Sequence, residues 1–389
     1  LQWPKNNKVQ SIVYHIDPLL EEPASIQAST WLEAIPELTG LLPGFRHIAL
    51  TQQAGLALEP ENPLELVSLV PAKPSLLGSA QSRQQLLRAW LSKHRPGLFI
   101  SFDPESLPPP GTGNTLLISS ALTLLSRGSK GSVFSGLFQK VDSVPGFSAA
   151  NVIVVPSNAD KNAISERYPS LTNKIEVIYP AFQEPIEPLG WSQQEQVKLR
   201  YSGGRDYFLF AGELSEEHEL IELLRAYSLL KKWLMTGMPL VLAGAATKYT
   251  PTLEKLLLTY KYRTDVSVYP DLESSELQEL VSAAYALLWP LEPNGRELAK
   301  GNGYPIEWAF NAGVPVLGSD IPAMNELVSG AALLSSPGDL QQQAHSLMMI
   351  YKDEQLRNSL IAKGRERIIQ LNRHNTFMAY ASVVRNFCG

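Results

Sequence analysis

The sequence predicts an α/β protein made of two doubly wound parallel units in succession. Three observations carry this expectation. Short apolar runs alternate with longer helical patterns almost throughout the 389 residues, and a strand–helix–strand rhythm implies a parallel sheet covered by helices. A chain of this length is too long for one core. The rhythm also breaks, at "AFQEPIEPLGWSQQEQ" (181–196), a stretch rich in proline and glutamine and without periodicity, and then starts afresh.

In the first half, "VQSIVYHI" (9–16) reads as a strand and "STWLEAIPELTGLL" (29–42) as a helix interrupted at Pro36. "FRHIALT" (45–51) and "LELVSLV" (64–70) are further strands. "SRQQLLRAWLSKH" (82–94) has apolar residues at 86, 87, 90 and 91, one face of a helix. "GLFISF" (97–102), "NTLLISS" (114–120) and "NVIVVPS" (151–157) are compact and rich in β-formers. After the break, "YFLFAGEL" (207–214) is a strand and "ELIELLRAYSLLKK" (219–232) a strongly amphipathic helix, whose leucine stripe reads as core. The alternation continues through "MPLVLAG" (238–244), "TLEKLLLTYKY" (252–262), "VSVYP" (266–270), "SSELQELVSAA" (274–284) and "YALLWP" (285–290). "VPVLGSD" (314–320), the helix "LQQQAHSLMMIYKD" (340–353) and two closing helical segments complete the reading. The expected boundaries are a first domain at 1–182, a linker at 183–206, a second domain at 207–372 and a final helix at 373–389.

Composition narrows the function. Hydrophobic residues at 44% and charged residues at 18% describe an ordinary globular protein, not a disordered one. The net charge of −5, without a Lys/Arg cluster, argues against nucleic acid. The single cysteine, Cys388, excludes a disulfide framework and suits a reducing cytoplasm. The opening "LQWPKNNKVQSIVYHI" has no long apolar region of the signal-peptide kind. "TLLISSALTLL" (115–125) falls short of the ~20 residues that span a bilayer, which leaves only peripheral membrane contact open.

Ligands of doubly wound sheets sit beyond the carboxyl ends of strands, where loops enter helix N-termini. Three such junctions stand out in the second half: "FAGELSEEHEL" (210–220), "LAGAATK" (242–248) and "KGNGYPIEWAF" (300–310), the last followed by "GVPVLGSDIPAMNEL" (313–327). By contrast, "GTG" at 111–113 follows three prolines and opens no helix, so it reads as a turn and not as a dinucleotide fingerprint.

These junctions, with "ANVIVVPSNADKNAISERYPSLTNKIEVIYPAF" (150–182), "ELQELVSAAYALLWP" (276–290) and "AALLSSPGDLQQQA" (331–344) in this order and spacing, resemble the retaining group 1 (family 4) glycosyltransferases of GT-B fold. The resemblance implies two Rossmann-like domains facing a cleft. It also implies a nucleotide-sugar donor, a glycan or lipid-linked acceptor, and no metal or other cofactor. In agreement, there is no Asp-x-Asp and no His/Cys cluster with ligand spacing. Donor contacts carried over by the resemblance are Gly212, Gly301, Gly303 and Glu326, with Tyr304 and Glu307 as further substrate-binding candidates. In such a site the diphosphate lies over a helix N-terminus and beside fixed cations, which stabilise the departing nucleotide.

Several positions depart from the family pattern. Where the family has Arg after the glycine of its first turn and Lys five residues later, this chain has Glu213 and His218. A carboxylate in place of a phosphate-binding guanidinium reverses the local field, at a cost of ~1–4 kcal/mol at close range. The two glutamates of the family loop fall on Lys300 and Trp308, with Glu307 one place early, a rotation of ~100° on a helix. The longer segment 291–299 adds Glu292 and Glu297, and the family's His-Asp pair in the first domain falls on Ser119-Ser120. Glu307, Glu297 and Lys300 are the candidates for catalysis, and His218 and Lys300 are substitutes for the missing cations. Each has a plainer reading: a turn for Gly301 and Gly303, a helix-end charge for Glu307 and Glu326, a surface histidine for His218. The rival expectation is a catalytically degenerate relative that supports a partner glycosyltransferase.

Overall fold

The computed structural model describes residues 10–21, 26–53, 64–69, 79–108, 113–119, 124, 146–179, 188–292 and 303–388. The chain divides into two units, Leu1–Ala181 with His374–Gly389, and Phe182–Arg373.

The first unit is a seven-stranded parallel sheet. Its strands are β1 (Ser11–His15), β2 (Arg46–Thr51), β3 (Glu65–Ser68), β4 (Leu98–Ser101), β5 (Thr115–Ile118), β6 (Val152–Val155) and β7 (Ile175–Val177), in the order β3-β2-β1-β4-β5-β6-β7. Strands such as "LFIS" and "VIVV" are buried at every position because helices cover both faces. On one face, helix α2 (Ile26–Leu41; α1 is Asp17–Glu21) packs Trp31, Ile35 and Leu38 against Ile12 and Tyr14. The last helix, Arg373–Cys388, adds Phe377, Tyr380 and Val384 to the same cluster. Each such side chain contributes about 2 kcal/mol by leaving water. The other face packs α3 (Ser79–His94) through Leu87 and Leu91 against Val13, Ile48 and Phe99, and α4 (Asn158–Arg167) through Ile164. Ser157 starts α4 by accepting the Asp160 amide at its side-chain oxygen.

Pro36 does not interrupt its helix, contrary to the sequence reading: α2 runs through it to Leu41. A proline there removes one helix hydrogen bond, but the buried stripe on both sides of it holds the helix together. The Thr39 hydroxyl also donates to the Pro36 carbonyl at 2.6 Å.

The second unit opens with α5 (Trp191–Ser202), within residues that read as linker. The sequence hides it because only Val197 and Tyr201, one turn apart, are buried apolar positions. Its ends are nonetheless well marked. The Gln193 side chain accepts the Gly190 amide at 2.9 Å, and Gly203 closes the helix in the left-handed region at φ 64°.

The sheet that follows has six parallel strands: β8 (Phe208–Ala211), β9 (Leu240–Gly244), β10 (Val266–Pro270), β11 (Ala286–Trp289), β12 (Val316–Ser319) and β13 (Ala332–Ser335). They lie in the order β10-β9-β8-β11-β12-β13. The helices are α6 (Leu220–Leu234), α7 (Thr250–Thr259), α8 (Ser274–Ser282), α9 (Tyr304–Ala312), α10 (Pro322–Val328), α11 (Leu340–Lys352) and α12 (Glu354–Gln370), and the final helix is α13. The leucine stripe of α6 is core: Leu220, Leu223, Leu224 and Leu230 are all buried. In each unit the chain order reverses between the first strand and the fourth, β1|β4 and β8|β11, the crevice where doubly wound sheets take their ligands. Among the described residues no helix is long and apolar enough to cross a membrane.

Candidate functional site

At the reversal point of the second sheet, β8 is followed by Gly212, whose amide donates to the Ala243 carbonyl at 3.0 Å. A side chain at Gly212 would meet the rings of Phe210 (3.1 Å), His218 (3.3 Å) and Trp289 (3.5 Å). Gly244 ends the neighbouring strand at φ 137°, where a Cβ would lie 1.9 Å from the Gly212 carbonyl oxygen. Two bare backbones therefore touch at this edge, a requirement of packing that holds whatever binds there. The sequence picked out Gly212 but not Gly244.

His218 is buried, not a surface histidine, at 1% exposure. Its ring stands edge-on to Phe210 at 4.9 Å and tilted against Trp289 at 5.6 Å. The Nδ1 atom lies 3.1 Å from the Pro290 carbonyl, which only accepts, so Nδ1 carries the hydrogen. The Trp289 indole donates to the Ala211 carbonyl at 3.1 Å, and the Glu292 amide to the Glu217 carbonyl at 2.9 Å. These bonds fasten the loop after β8 to the loop after β11. The Ser319 hydroxyl ties the latter to β12, accepting from the Leu291 amide and donating to its carbonyl. Beside it, Trp289, Pro290, Gly318, Ser319, Ser335 and Gln343 line a small pocket.

The electrostatics of this edge are acidic. Loop 212–219 carries Glu213, Glu216, Glu217 and Glu219 and no Lys or Arg. Glu219 takes the left-handed region at φ 45° to start α6. Burial pushes its carboxyl above the ordinary value, and Glu222 and Glu292 add to this, against a hydrogen bond from the Gly338 amide.

Gly303 precedes α9, and Pro305 occupies its first turn, where a missing amide hydrogen costs nothing. Tyr304 and Trp308 stack edge-on at 4.6 Å. Glu307 is 4% exposed, in the first turn and near the positive end of the helix dipole. Glu326 is half-buried in α10, and Arg367 donates to its carbonyl at 2.6 Å and to that of Leu327 at 2.8 Å. Glu297, Lys300 and Gly301 lie outside the described residues, as does Ser120. Ser119 follows β5 and is buried, its amide donating to the Val154 carbonyl at 3.0 Å. Among the described residues no group of three or more His, Cys, Asp or Glu could hold a metal ion. In the second unit Gly212, Glu213 and His218 follow β8, Gly303 and Glu307 stand at the start of α9, and Glu326 lies in the second turn of α10, after β12.

A model of the family "Glycosyl transferases group 1" matches residues 192–367, nearly all of this unit. The matched stretch, a little under half of the chain, is similar to a group 1 glycosyltransferase domain. Among curated proteins, the O-antigen chain mannosyltransferase RfbU of Salmonella typhimurium is 26% identical over 187 residues, 48% of this chain and 47% of that one. The match therefore spans about half the length of that relative. Among solved structures, a glycosyltransferase from Rickettsia africae covers 98% of this chain and 99% of its own, with a TM-score of 0.70 and 13% identity. Anabaena Alr3699/HepE, in complex with UDP and glucose, covers 97% and 100% with a TM-score of 0.66 and 14% identity. At these identities the structures establish the fold alone: two Rossmann-like units of the GT-B class. The second unit has its reversal point beside Gly212, His218 and Trp289.

Proposed function

We propose that the protein transfers a sugar from a nucleotide-sugar to a carbohydrate or lipid-linked acceptor in polysaccharide biosynthesis, in the cytoplasm and without a metal. The group 1 match across 192–367 carries this reading. Gly212, His218, Gly303, Tyr304, Glu307 and Glu326 are the proposed donor-side residues, with Gly301, Lys300 and Glu297 between β11 and α9. The start of α9 is suited to a diphosphate through the positive end of its helix dipole. The glutamates of loop 212–219 work against an anion nearby, so a cation from elsewhere in the chain has to offset them, and Lys300 is the candidate. Departure of the nucleotide diphosphate is then stabilised electrostatically while an acceptor hydroxyl attacks the anomeric carbon, with retention of configuration. The match over the domain and the mannosyltransferase relative favour this over a degenerate partner module.

Calorimetric titration with UDP, GDP, ADP, UDP-glucose and GDP-mannose tests the reading. One nucleobase is expected to bind, and Gly303→Asp to weaken that binding. Silence with all five at millimolar concentration overturns it.

A further inference from the structure

The reversal point of the first sheet carries a polar cluster that the donor chemistry does not use. His15 is the last residue of β1, in register with Leu50 on one side and Ser101 on the other. Alternation places it on the same face as Val13, and its ring stacks on Phe99 at 6.1 Å. Its side chain is 5% exposed. Asp17, two residues on and also buried, holds the Nε2 atom at 3.3 Å. Asp17 is itself fixed: Oδ1 accepts the Thr51 hydroxyl at 2.6 Å, and the Gln52 amide lies 2.9 and 3.0 Å from its two oxygens. Burial pushes this carboxyl up, but His15, Thr51 and Gln52 outweigh it and hold it below the ordinary value, so it is ionised at neutral pH.

An ionised carboxylate only accepts, so Nε2 of a neutral ring carries the hydrogen and Nδ1 presents a lone pair. Nδ1 is buried and, among the described residues, has no hydrogen-bond partner. Buried acceptors in native proteins are paired, and one without a partner calls for a donor of the right size. Two observations point to a ligand and not to a structural partner. The atom sits at the strand end where a doubly wound sheet takes its ligands. The group that orients the ring has its own hydrogen bonds complete, as expected where a side chain is set up to meet something else.

We propose that His15, oriented by Asp17, binds the attacking hydroxyl of the carbohydrate acceptor, accepting its O–H hydrogen bond at Nδ1. This rests on the sugar-transfer reading above. The bond fixes the hydroxyl with its oxygen lone pairs left for attack. Asp17 is a positioning residue: it sets the tautomer that makes Nδ1 an acceptor. In Asp17→Asn, Thr51 and Gln52 keep the amide oxygen on their side, so the amide NH2 faces Nε2. Nδ1 must then carry the hydrogen and donate, which withdraws charge from the attacking oxygen.

The first arm of the test needs no activity. In the full-length protein labelled with 15N-histidine, the His15 ring is expected as the Nε2–H tautomer. Its Nδ1 signal is expected to move on titration with methyl α-mannoside, methyl α-glucoside or methyl β-galactoside. An Nδ1–H tautomer, or no shift with any of the three, overturns the proposal and leaves the nitrogen serving a buried water only. In the second arm, His15→Gln is expected to lower acceptor kcat/KM at least about tenfold, the value of one hydrogen bond, with nucleotide affinity unchanged. Asp17→Asn is expected to lower kcat with little change in acceptor KM. Equal rates in wild type and His15→Gln overturn the proposal even where Asp17→Asn does not fold. Absence of nucleotide binding in the wild type sinks the sugar-transfer reading instead, and the ring-nitrogen titration still decides the fate of His15.

Discussion

Asp17 and Glu219 each follow the first strand of a parallel sheet, at the same place in the same strand order, yet their carboxyls are driven in opposite directions. Asp17 is more buried but gains a histidine, a hydroxyl and an amide, and its charged form wins. Glu219 has one backbone amide against burial and two further glutamates, and its charged form loses. Topology chooses where a ligand edge lies, and the partners supplied there choose its charge. One edge holds an anion that is compensated by its partners, and the other disfavours negative charge.

The comparison breaks most sharply at backbone level. Gly244→Ala is expected to cost at least about 4 kcal/mol, because its Cβ meets the Gly212 carbonyl at 1.9 Å. Gly330→Ala, also at positive φ (80°) but with nothing within 4 Å, isolates the conformational part, about 1–2 kcal/mol. Urea denaturation of the two variants separates clash from strain. His218→Ala is expected to lose about 3 kcal/mol by emptying the space between Phe210 and Trp289 and leaving the Pro290 carbonyl unpaired. A loss below about 1 kcal/mol would mean that the ring is not a structural wedge.

Asp17→Ala is expected to lose about 2 kcal/mol at pH 7, since it strands the Thr51 and Gln52 donors. The pH dependence sharpens this. The folded-state value lies below the ordinary 3.8, so the contribution is full above about pH 4 and drains as pH falls through the folded value. The variant's melting temperature is expected to converge on wild type in strong acid. Glu219 has the opposite sign. Its folded value lies above the ordinary 4.5, so ionisation erodes stability as pH rises through that window. Glu219→Gln is expected to raise stability slightly at pH 7 and leave it unchanged below pH 4. A loss at pH 7 would assign Glu219 to the hydrogen bond with Gly338 rather than to the charge balance.

The parallel rhythm and most strands were legible because parallel strands buried on both faces write themselves as short apolar runs; the strand order, β7 and β13 were not. The helix α5 was not: a helix with two buried positions among glutamines has almost no periodicity, and only Gly190 and Gly203 marked its ends. Pro36 misled because the sequence shows the lost hydrogen bond but not the packing that outweighs it. In the candidate site, Gly212 stood out as a glycine at a strand end, while its neighbour Gly244 and the burial of His218 depend on which strands lie side by side. His15 and Asp17 were passed over altogether, because "YHID" continues an apolar strand and nothing local reveals that Thr51, from the next strand, completes the site. The one signal was a His-x-Asp spacing at a strand end.

Helix α13 has a consequence in time. It completes the core of the first unit with Phe377, Tyr380 and Val384, although the whole of the second unit intervenes in the chain. A ribosome that emits residues in order delivers the second unit, continuous in sequence, before the first can close. The half that is made first finishes last, and until α13 arrives the apolar face around Tyr14 and Trp31 lies open to chaperones and proteases.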